Sequence, residues 1–137
     1  MVHFVIITHG EFGAYLLEAA EEIVGRQADG IRAVSISPRW AVDEVRSRIA
    51  EAIDKENSPE GLIVAIDIPG GTPANVVLPI VKNMPHVRVI SGVNLYMLVS
   101  AFGRRSREGI EEVFQKMMAD GQKSIRDIKA MISTSCR

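Results

Sequence analysis

Residues 2–10 read VHFVIITHG, an apolar and largely β-branched run that ends in a histidine and a glycine. A continuous run such as Val2–Thr8 is typical of a parallel strand that is covered on both faces. Similar short runs recur at Ile31–Ile36, Leu62–Ile66 and Val87–Ile90, separated by longer segments with helical periodicity. This alternation predicts parallel βαβ units. We therefore predict an α/β fold, an open doubly wound sheet of mainly parallel strands with helices on both faces.

The segments between the strands carry apolar residues at helical spacing and turn residues near their ends. They predict helices over residues 15–24, 42–53, 74–81, 95–102 and 110–117. The tail after Gly121 fits two structures. Its isoleucines at 125, 128 and 132 suit a further helix, and the same stretch suits a short C-terminal edge strand.

The size and composition of the chain indicate one globular domain over residues 1–137. A net charge of −1, from 16 basic and 17 acidic residues, argues against a nucleic-acid partner. The one basic cluster, Arg104 and Arg105 with Arg107, is predicted to be a solvated turn.

No segment approaches the ~20 apolar residues of a membrane span, and the N-terminus lacks a signal-peptide pattern. Cys136 is the single cysteine, which does not indicate an oxidising compartment, so we expect a cytoplasmic protein.

His9 is the first candidate for chemistry, because it stands at the carboxyl end of the first predicted strand. Open α/β sheets bind their ligands at this edge. Gly10 follows His9 directly and allows close approach of a ligand to the backbone. The other two histidines, His3 in an apolar strand and His86 in a turn, are predicted to be structural or solvated.

Asp67 ends the third predicted strand in the same way. In a strand order of 2-1-3-4, strands 1 and 3 are neighbours about 4.8 Å apart, so Asp67 and His9 can reach each other. A carboxylate bonded to one imidazole nitrogen fixes the tautomer and leaves the lone pair of the other nitrogen free to attack. The pairing predicts a nucleophilic imidazole with an orienting carboxylate.

The loop after Asp67 contains Gly70, Gly71, Thr72 and Pro73. Thr72 suits an N-cap and Pro73 the first position of a helix. Free amides and the positive end of the helix dipole favour an anion, above all a phosphate. We therefore predict phosphate contacts at Gly10, Gly70, Gly71 and Thr72, and a phosphoryl group carried on a histidine.

Motifs for competing chemistries are missing from the sequence. It contains neither a P-loop nor a dinucleotide fingerprint. Its histidines and cysteine have no zinc-ligand spacing, and no nucleophile elbow for a serine triad occurs. With a protein as phosphoryl donor, neither a metal nor another cofactor is expected.

Three stretches resemble the IIA component of the mannose/fructose/sorbose class of the bacterial phosphoenolpyruvate-dependent sugar phosphotransferase system. They are residues 6–10 (IITHG), residues 67–75 (DIPGGTPAN), and residues 92–94 (GVN) with Met97 and Leu98. Their order and spacing are similar to the family across nearly the whole chain. Tyr96 departs from the pattern, since smaller residues are common there in the family.

The resemblance implies a sheet of order 2-1-3-4 and a phosphotransferase that works through a phosphohistidine. His9 would accept the phosphoryl group from phospho-HPr on Nε2 and pass it to a separate IIB component, while Asp67 bonds the other ring nitrogen. Asn94 would lie at the rim of the site. A homodimer with exchanged C-terminal segments is implied, formed through residues 95–102 and the tail after Gly121, and the protein could associate with the membrane IIC/IID complex without inserting.

Three alternatives stay open at this point. The chain could be the related phosphocarrier of dihydroxyacetone kinase, although the GGTP and GVN motifs favour the sugar-system branch. It could be a regulatory phosphocarrier without a role in sugar uptake. It could also be a flavodoxin-like binding module in which His9 is structural.

Overall fold

The computed structural model describes residues 1–135, so Cys136 lies outside the described residues. Strands and helices alternate through the first two thirds of this range, and helices alone follow. No helix in it combines the length and the apolar character that a bilayer crossing requires. The elements are β1 (His3–His9), α1 (Phe12–Val24), β2 (Ile31–Ile36), α2 (Val42–Glu56), β3 (Leu62–Ile66), α3 (Thr72–Val81), β4 (Val87–Ile90), α4 (Leu95–Phe102), α5 (Ile110–Lys123) and α6 (Ile128–Ser135).

The four strands form one parallel sheet in the order β2-β1-β3-β4, as predicted. β1 pairs with β2 on one side, where His9 lies opposite Ile36, and with β3 on the other, where Ile7 lies opposite Ile66. The strand order reverses between β1 and β3. Their carboxyl ends therefore open at the switch point where sheets of this kind bind ligands.

Each face of the sheet has its own apolar core. Side chains of β1 alternate between the two, because successive residues of a strand point to opposite faces. Val5 and Ile7 pack with residues of α2 and α3, whereas Phe4 and Ile6 pack with residues of α1, α4 and α5. On the second face, the rings of Phe4 and Phe102 meet edge to face with centroids 5.5 Å apart. The two covered faces hold the central strands, and hence the site at their ends, in place.

The bounds of β2, β3, β4 and α4 agree with the predicted ranges. α1 begins three residues earlier than expected, at Phe12 instead of Tyr15, because its first turn carries an exposed apolar residue and a glycine that obscure the helical pattern. Thr72 was predicted as the N-cap of α3, and this was wrong. The helix already includes Thr72, and Gly71 is the cap residue, with φ of +86°.

The sequence left the tail open between a helix and a short edge strand, and the structure shows the helix. α6 runs over Ile128–Ser135, in agreement with the helical spacing of the isoleucines. The carboxylate of Asp127 accepts a hydrogen bond from the amide of Ala130 at 2.9 Å, which is a cap of the usual kind.

Arg105 is buried, which contradicts the predicted solvated turn. Its guanidinium donates hydrogen bonds to the carbonyls of Val2, at 3.2 Å, and of Asp29, and to the side chain of Gln27 at 3.0 Å. Arg107, by contrast, is exposed. A guanidinium has five donors in a planar fork, so one side chain can join the N-terminal strand to the loop before β2.

Candidate active site

His9 and Asp67 meet at the carboxyl ends of β1 and β3. His9 is the last residue of β1, and Asp67 directly follows β3. Nδ1 of the His9 ring lies 2.9 Å from Oδ2 of Asp67, and the amide of His9 donates to the same oxygen at 2.8 Å. The other oxygen, Oδ1, accepts from the amide of Ile68 at 2.9 Å. The carboxylate is therefore fixed from both sides and holds the backbone and the ring of His9 together.

The charge of Asp67 decides the tautomer of His9. Burial raises the pKa of Asp67, but hydrogen bonds from the amide and ring of His9 and from the amide of Ile68 outweigh it, so this pKa is lower than usual. An ionised carboxylate only accepts hydrogen bonds, which makes Nδ1 the protonated nitrogen and leaves the lone pair on Nε2. The His9 side chain is 53% exposed, so a reactant can approach the ring.

Gly10 forms the turn between His9 and α1. Its φ of +67° lies in the left-handed region, which glycine adopts without steric cost. The Gly10 amide donates to the carbonyl of Ile36 at 2.9 Å, and the Gly13 amide donates to the hydroxyl of Thr8 at 2.8 Å. Two amides that a phosphate could have used are therefore already occupied inside the protein.

The amides of the loop from Gly70 to Thr72, by contrast, are available to a ligand. These residues are exposed, and among the described residues their N–H groups and the Thr72 hydroxyl have no hydrogen-bond partner. They stand at the start of α3, where the helix dipole adds positive potential. The loop begins three residues after Asp67 in the sequence, so it continues the edge on which His9 lies.

Asn94 has a structural position. Its Oδ1 accepts from the amide of Met97 at 3.0 Å and caps α4, and its Nδ2 donates to the carbonyl of Gly92 at 3.3 Å. Neither bond reaches His9 or Asp67. The residue that touches the site from this loop is Gly92, whose amide donates to the backbone carbonyl of Asp67 at 3.0 Å.

The other two histidines have partners away from this edge. The ring of His3 bonds to the carbonyl of Glu56 at 3.0 Å, and that of His86 to the side chain of Asn57 at 2.6 Å. Across residues 1–135, the acidic, histidine and cysteine side chains form no group of three or more that could hold a metal ion.

Sequence reasoning missed Thr8, which directly precedes His9 within β1. A threonine in such a run reads as an ordinary β-branched strand residue. The signal that could have found it is the glycine five residues later, at position 13, in a helix that otherwise has no need of one.

Comparison with known proteins identifies the family of the chain. The family model described as "PTS system fructose IIA component" matches residues 3–118. The PTS system mannose-specific EIIAB component of Escherichia coli (strain K12) is 27% identical over 130 residues. These are 94% of this chain but 40% of that protein, so the chain spans well under half of this longer relative.

Solved structures agree with this match. The PTS IIA protein associated with the fucose utilization operon from Streptococcus pneumoniae is 25% identical with a TM-score of 0.84, covering 96% of both chains. Phosphotransferase system component EIIA from Streptococcus agalactiae is 25% identical with a TM-score of 0.83, covering 95% of this chain and 99% of its own. The chain belongs to the mannose/fructose/sorbose class of IIA components of the phosphotransferase system.

Proposed function

We propose that the chain is a phosphocarrier of a sugar phosphotransferase system, which accepts a phosphoryl group from phospho-HPr on Nε2 of His9. The observation that supports this most directly is the 2.9 Å contact between Nδ1 of His9 and Asp67, on a ring that is half exposed. Family membership supports the same function. The acceptor is a IIB component, in keeping with the name of the E. coli relative, which is an EIIAB component.

The transfer step balances without a cofactor. The lone pair of Nε2 attacks the phosphorus of the donor phosphohistidine, an N–P bond forms on His9, and the N–P bond of the donor breaks with its electron pair returning to the donor ring. Nδ1 of His9 keeps its proton, so the phosphorylated ring carries a positive charge. Asp67 stabilises that charge through the hydrogen bond that it already makes. Transfer to the acceptor reverses these steps.

The phosphoryl oxygens need donors, and the loop from Gly70 to Thr72 supplies them in this proposal. Its amides and the Thr72 hydroxyl are exposed at a helix start. Such groups favour a dianion through both hydrogen bonding and the helix dipole. Gly10 was predicted as a fourth phosphate contact. Since the amide of Gly10 already donates to the carbonyl of Ile36, we assign Gly10 a different role: it forms the turn that lets the donor approach closely.

Incubation with phosphoenolpyruvate, enzyme I and HPr tests the proposal. We expect one phosphoryl group per chain, labile in acid and stable in base as a phosphoramidate is, and none on His9→Ala. His86→Ala is the matched control and should label like the wild type, because His86 bonds Asn57 at a distance from the site. Labelling that persists in His9→Ala would remove His9 from the mechanism.

The acceptor is tested separately. The phosphorylated chain, freed of HPr, should lose its phosphoryl group to a purified IIB component of the mannose class. Transfer instead to a subunit of dihydroxyacetone kinase would identify the alternative role in that system. Retention of the phosphoryl group with every such acceptor, together with a partner that binds only one phosphorylation state, would identify a regulator.

We also propose that the chain forms a homodimer through its C-terminal tail. β4 is an edge strand of the sheet, and apolar side chains line a cavity on either side of it. These cavities have volumes of about 390 and 190 Å³. In the tail, Ile125, Ile128 and Ile132 are 86%, 63% and 60% exposed. Apolar surface of this kind is typical of an interface.

A further inference from the structure

Thr8 directly precedes His9 in β1, and its side chain is fully buried. Its hydroxyl accepts a hydrogen bond from the amide of Gly13 at 2.8 Å and donates one to the carbonyl of Gly10 at 3.0 Å. Both partners come after His9 in the chain. One hydroxyl therefore connects the end of the strand to the turn that follows His9 and to the first turn of α1.

This hydroxyl also caps α1 from outside the helix. The cap residue of α1, Glu11, makes no side-chain capping bond. The amides of a first helical turn have no partner within the helix, and burying one unpaired is costly. Thr8 satisfies the amide of Gly13, so the start of the helix is fixed to the strand that carries His9.

Gly13 is a glycine because of Thr8. A Cβ at this position would lie 2.7 Å from Oγ1 and 2.8 Å from Cγ2 of Thr8, closer than carbon and these atoms can approach. Gly13 lies in a helix and its φ is not positive, so the backbone conformation does not demand a glycine. The space next to Thr8 does, and Cγ2 of Ile6, which would lie 3.2 Å from such a Cβ, narrows it further. The two residues form a matched pair, which we call the Thr8–Gly13 lock.

The lock acts on the backbone that carries the His9 ring. The turn at Gly10 is held on one side by its amide, bonded to Ile36, and on the other by its carbonyl, bonded to Thr8. Because the amide of His9 also donates to Asp67, hydrogen bonds hold both peptide groups that flank His9. Within the described part of the chain the ring itself has a single hydrogen bond, so its direction depends on this backbone.

We propose that the Thr8–Gly13 lock is a positioning device for His9, keeping Nδ1 on Asp67 and Nε2 directed to the incoming phosphoryl group. The inference rests on the phosphocarrier function proposed above. Thr8 does not touch the phosphoryl group in this proposal and acts through the backbone of His9 and Gly10. A displacement of about 1 Å between reacting groups can cost on the order of 100-fold in rate.

Two substitutions of Thr8 separate the effect of its hydroxyl group from the effect of its side-chain volume. Thr8→Val keeps the volume and removes both hydrogen bonds, while Thr8→Ser keeps the hydroxyl. In single-turnover transfer from phospho-HPr, we expect Thr8→Val to be about 10- to 100-fold slower at saturating donor, with the half-saturating donor concentration changed less than about twofold. Thr8→Ser should remain within about threefold of the wild type.

A double variant separates positioning from stability. Thr8→Ala combined with Gly13→Ala fills the space of the lost side chain with the new Cβ and favours the helix, since alanine is the better helix former. We expect this double variant to be more stable to heat than Thr8→Ala alone and closer to the wild type, whereas its transfer rate stays as slow as that of Thr8→Ala. A purely structural role for Thr8 predicts that rate and stability recover together, and that result would overturn the inference, as would a folded Thr8→Val that transfers at the wild-type rate.

Heteronuclear NMR of the unphosphorylated imidazole gives a readout that needs no donor. The wild type should show the tautomer protonated at Nδ1, and the Thr8→Val and double variants should show a mixture of the two tautomers. If the wild type accepts no phosphoryl group, the proposed function fails, and the tautomer comparison still decides the positioning role. An unchanged Nδ1 tautomer in both variants would refute that role.

Discussion

At the scale of single residues, the site depends on one carboxylate. Asp67 accepts hydrogen bonds from the amide and the ring of His9 with one oxygen, and from the amide of Ile68 with the other. Asp67→Asn keeps the shape and removes the charge. We expect phosphoryl transfer to His9 to slow by about 100-fold, because the neutral amide neither fixes the tautomer nor stabilises the cationic phosphorylated ring. Single-turnover transfer from phospho-HPr measures this, and a variant with the wild-type rate would show the charge to be incidental.

The same variant provides a pH test of the carboxylate. The pKa of Asp67 is lower in the folded protein than usual, so its ionised form stabilises the fold above the unfolded pKa of about 3.9. That contribution is lost as the pH falls through the lower, folded pKa. We expect the difference in unfolding free energy between wild type and Asp67→Asn to shrink on acidification from pH 5 toward pH 3, a range set by that unfolded value. Urea denaturation at each pH measures it, and a constant difference would contradict the assignment.

At the scale of elements, the strands were predicted better than the ends of the helices. β2, β3 and β4 are short apolar runs bounded by polar or turn residues, and burial on both faces leaves a clear pattern in the sequence. The start of α1 was missed because Phe12 is exposed and Gly13 is kept for the hydroxyl of Thr8. Contacts between distant segments decide such ends, and a local pattern does not contain them.

Arg105 is a second residue whose place is decided by contacts between distant segments. In the sequence it stands in a basic turn, but in the structure it is buried and joins the segment after α4 to the start of β1 and the loop before β2. Its partners are mainly backbone carbonyls more than 70 residues away. Nothing in the neighbourhood of Arg105 in the sequence indicates them.

This contact leads to a stability prediction. Arg105→Ala removes the guanidinium from the buried carbonyl of Val2 and the partly buried carbonyl of Asp29, so we expect the free energy of unfolding to fall by about 3 kcal/mol. Arg107→Ala is the matched control. Among residues 1–135 its exposed guanidinium bonds only the carbonyl of Gly103, and the change should be within about 0.5 kcal/mol. Urea denaturation compares the two variants, and equal effects would show that Arg105 has no special role.

At the scale of the whole molecule, the two faces of the sheet differ from its two edges. Both faces are covered by helices, and this pattern allowed the doubly wound fold to be predicted, whereas the order of the strands came from the family resemblance. The edge at β4 is open among the described residues, with apolar cavities beside it, and Ile125 of the apolar tail lines one of these cavities. The homodimer proposed above would cover this surface.

The last prediction therefore concerns the assembly. We expect the wild type to sediment at twice the mass of one chain, and Ile125→Lys combined with Ile128→Lys to sediment as a monomer with an unchanged circular dichroism spectrum. Both isoleucines are exposed within one chain, so a lysine costs little there unless a second chain covers the position. Val42→Lys is the control, because this exposed residue opens α2 on the other face of the sheet and should leave the dimer intact. A monomeric wild type, or a double variant that remains dimeric, would contradict an interface built from the tail.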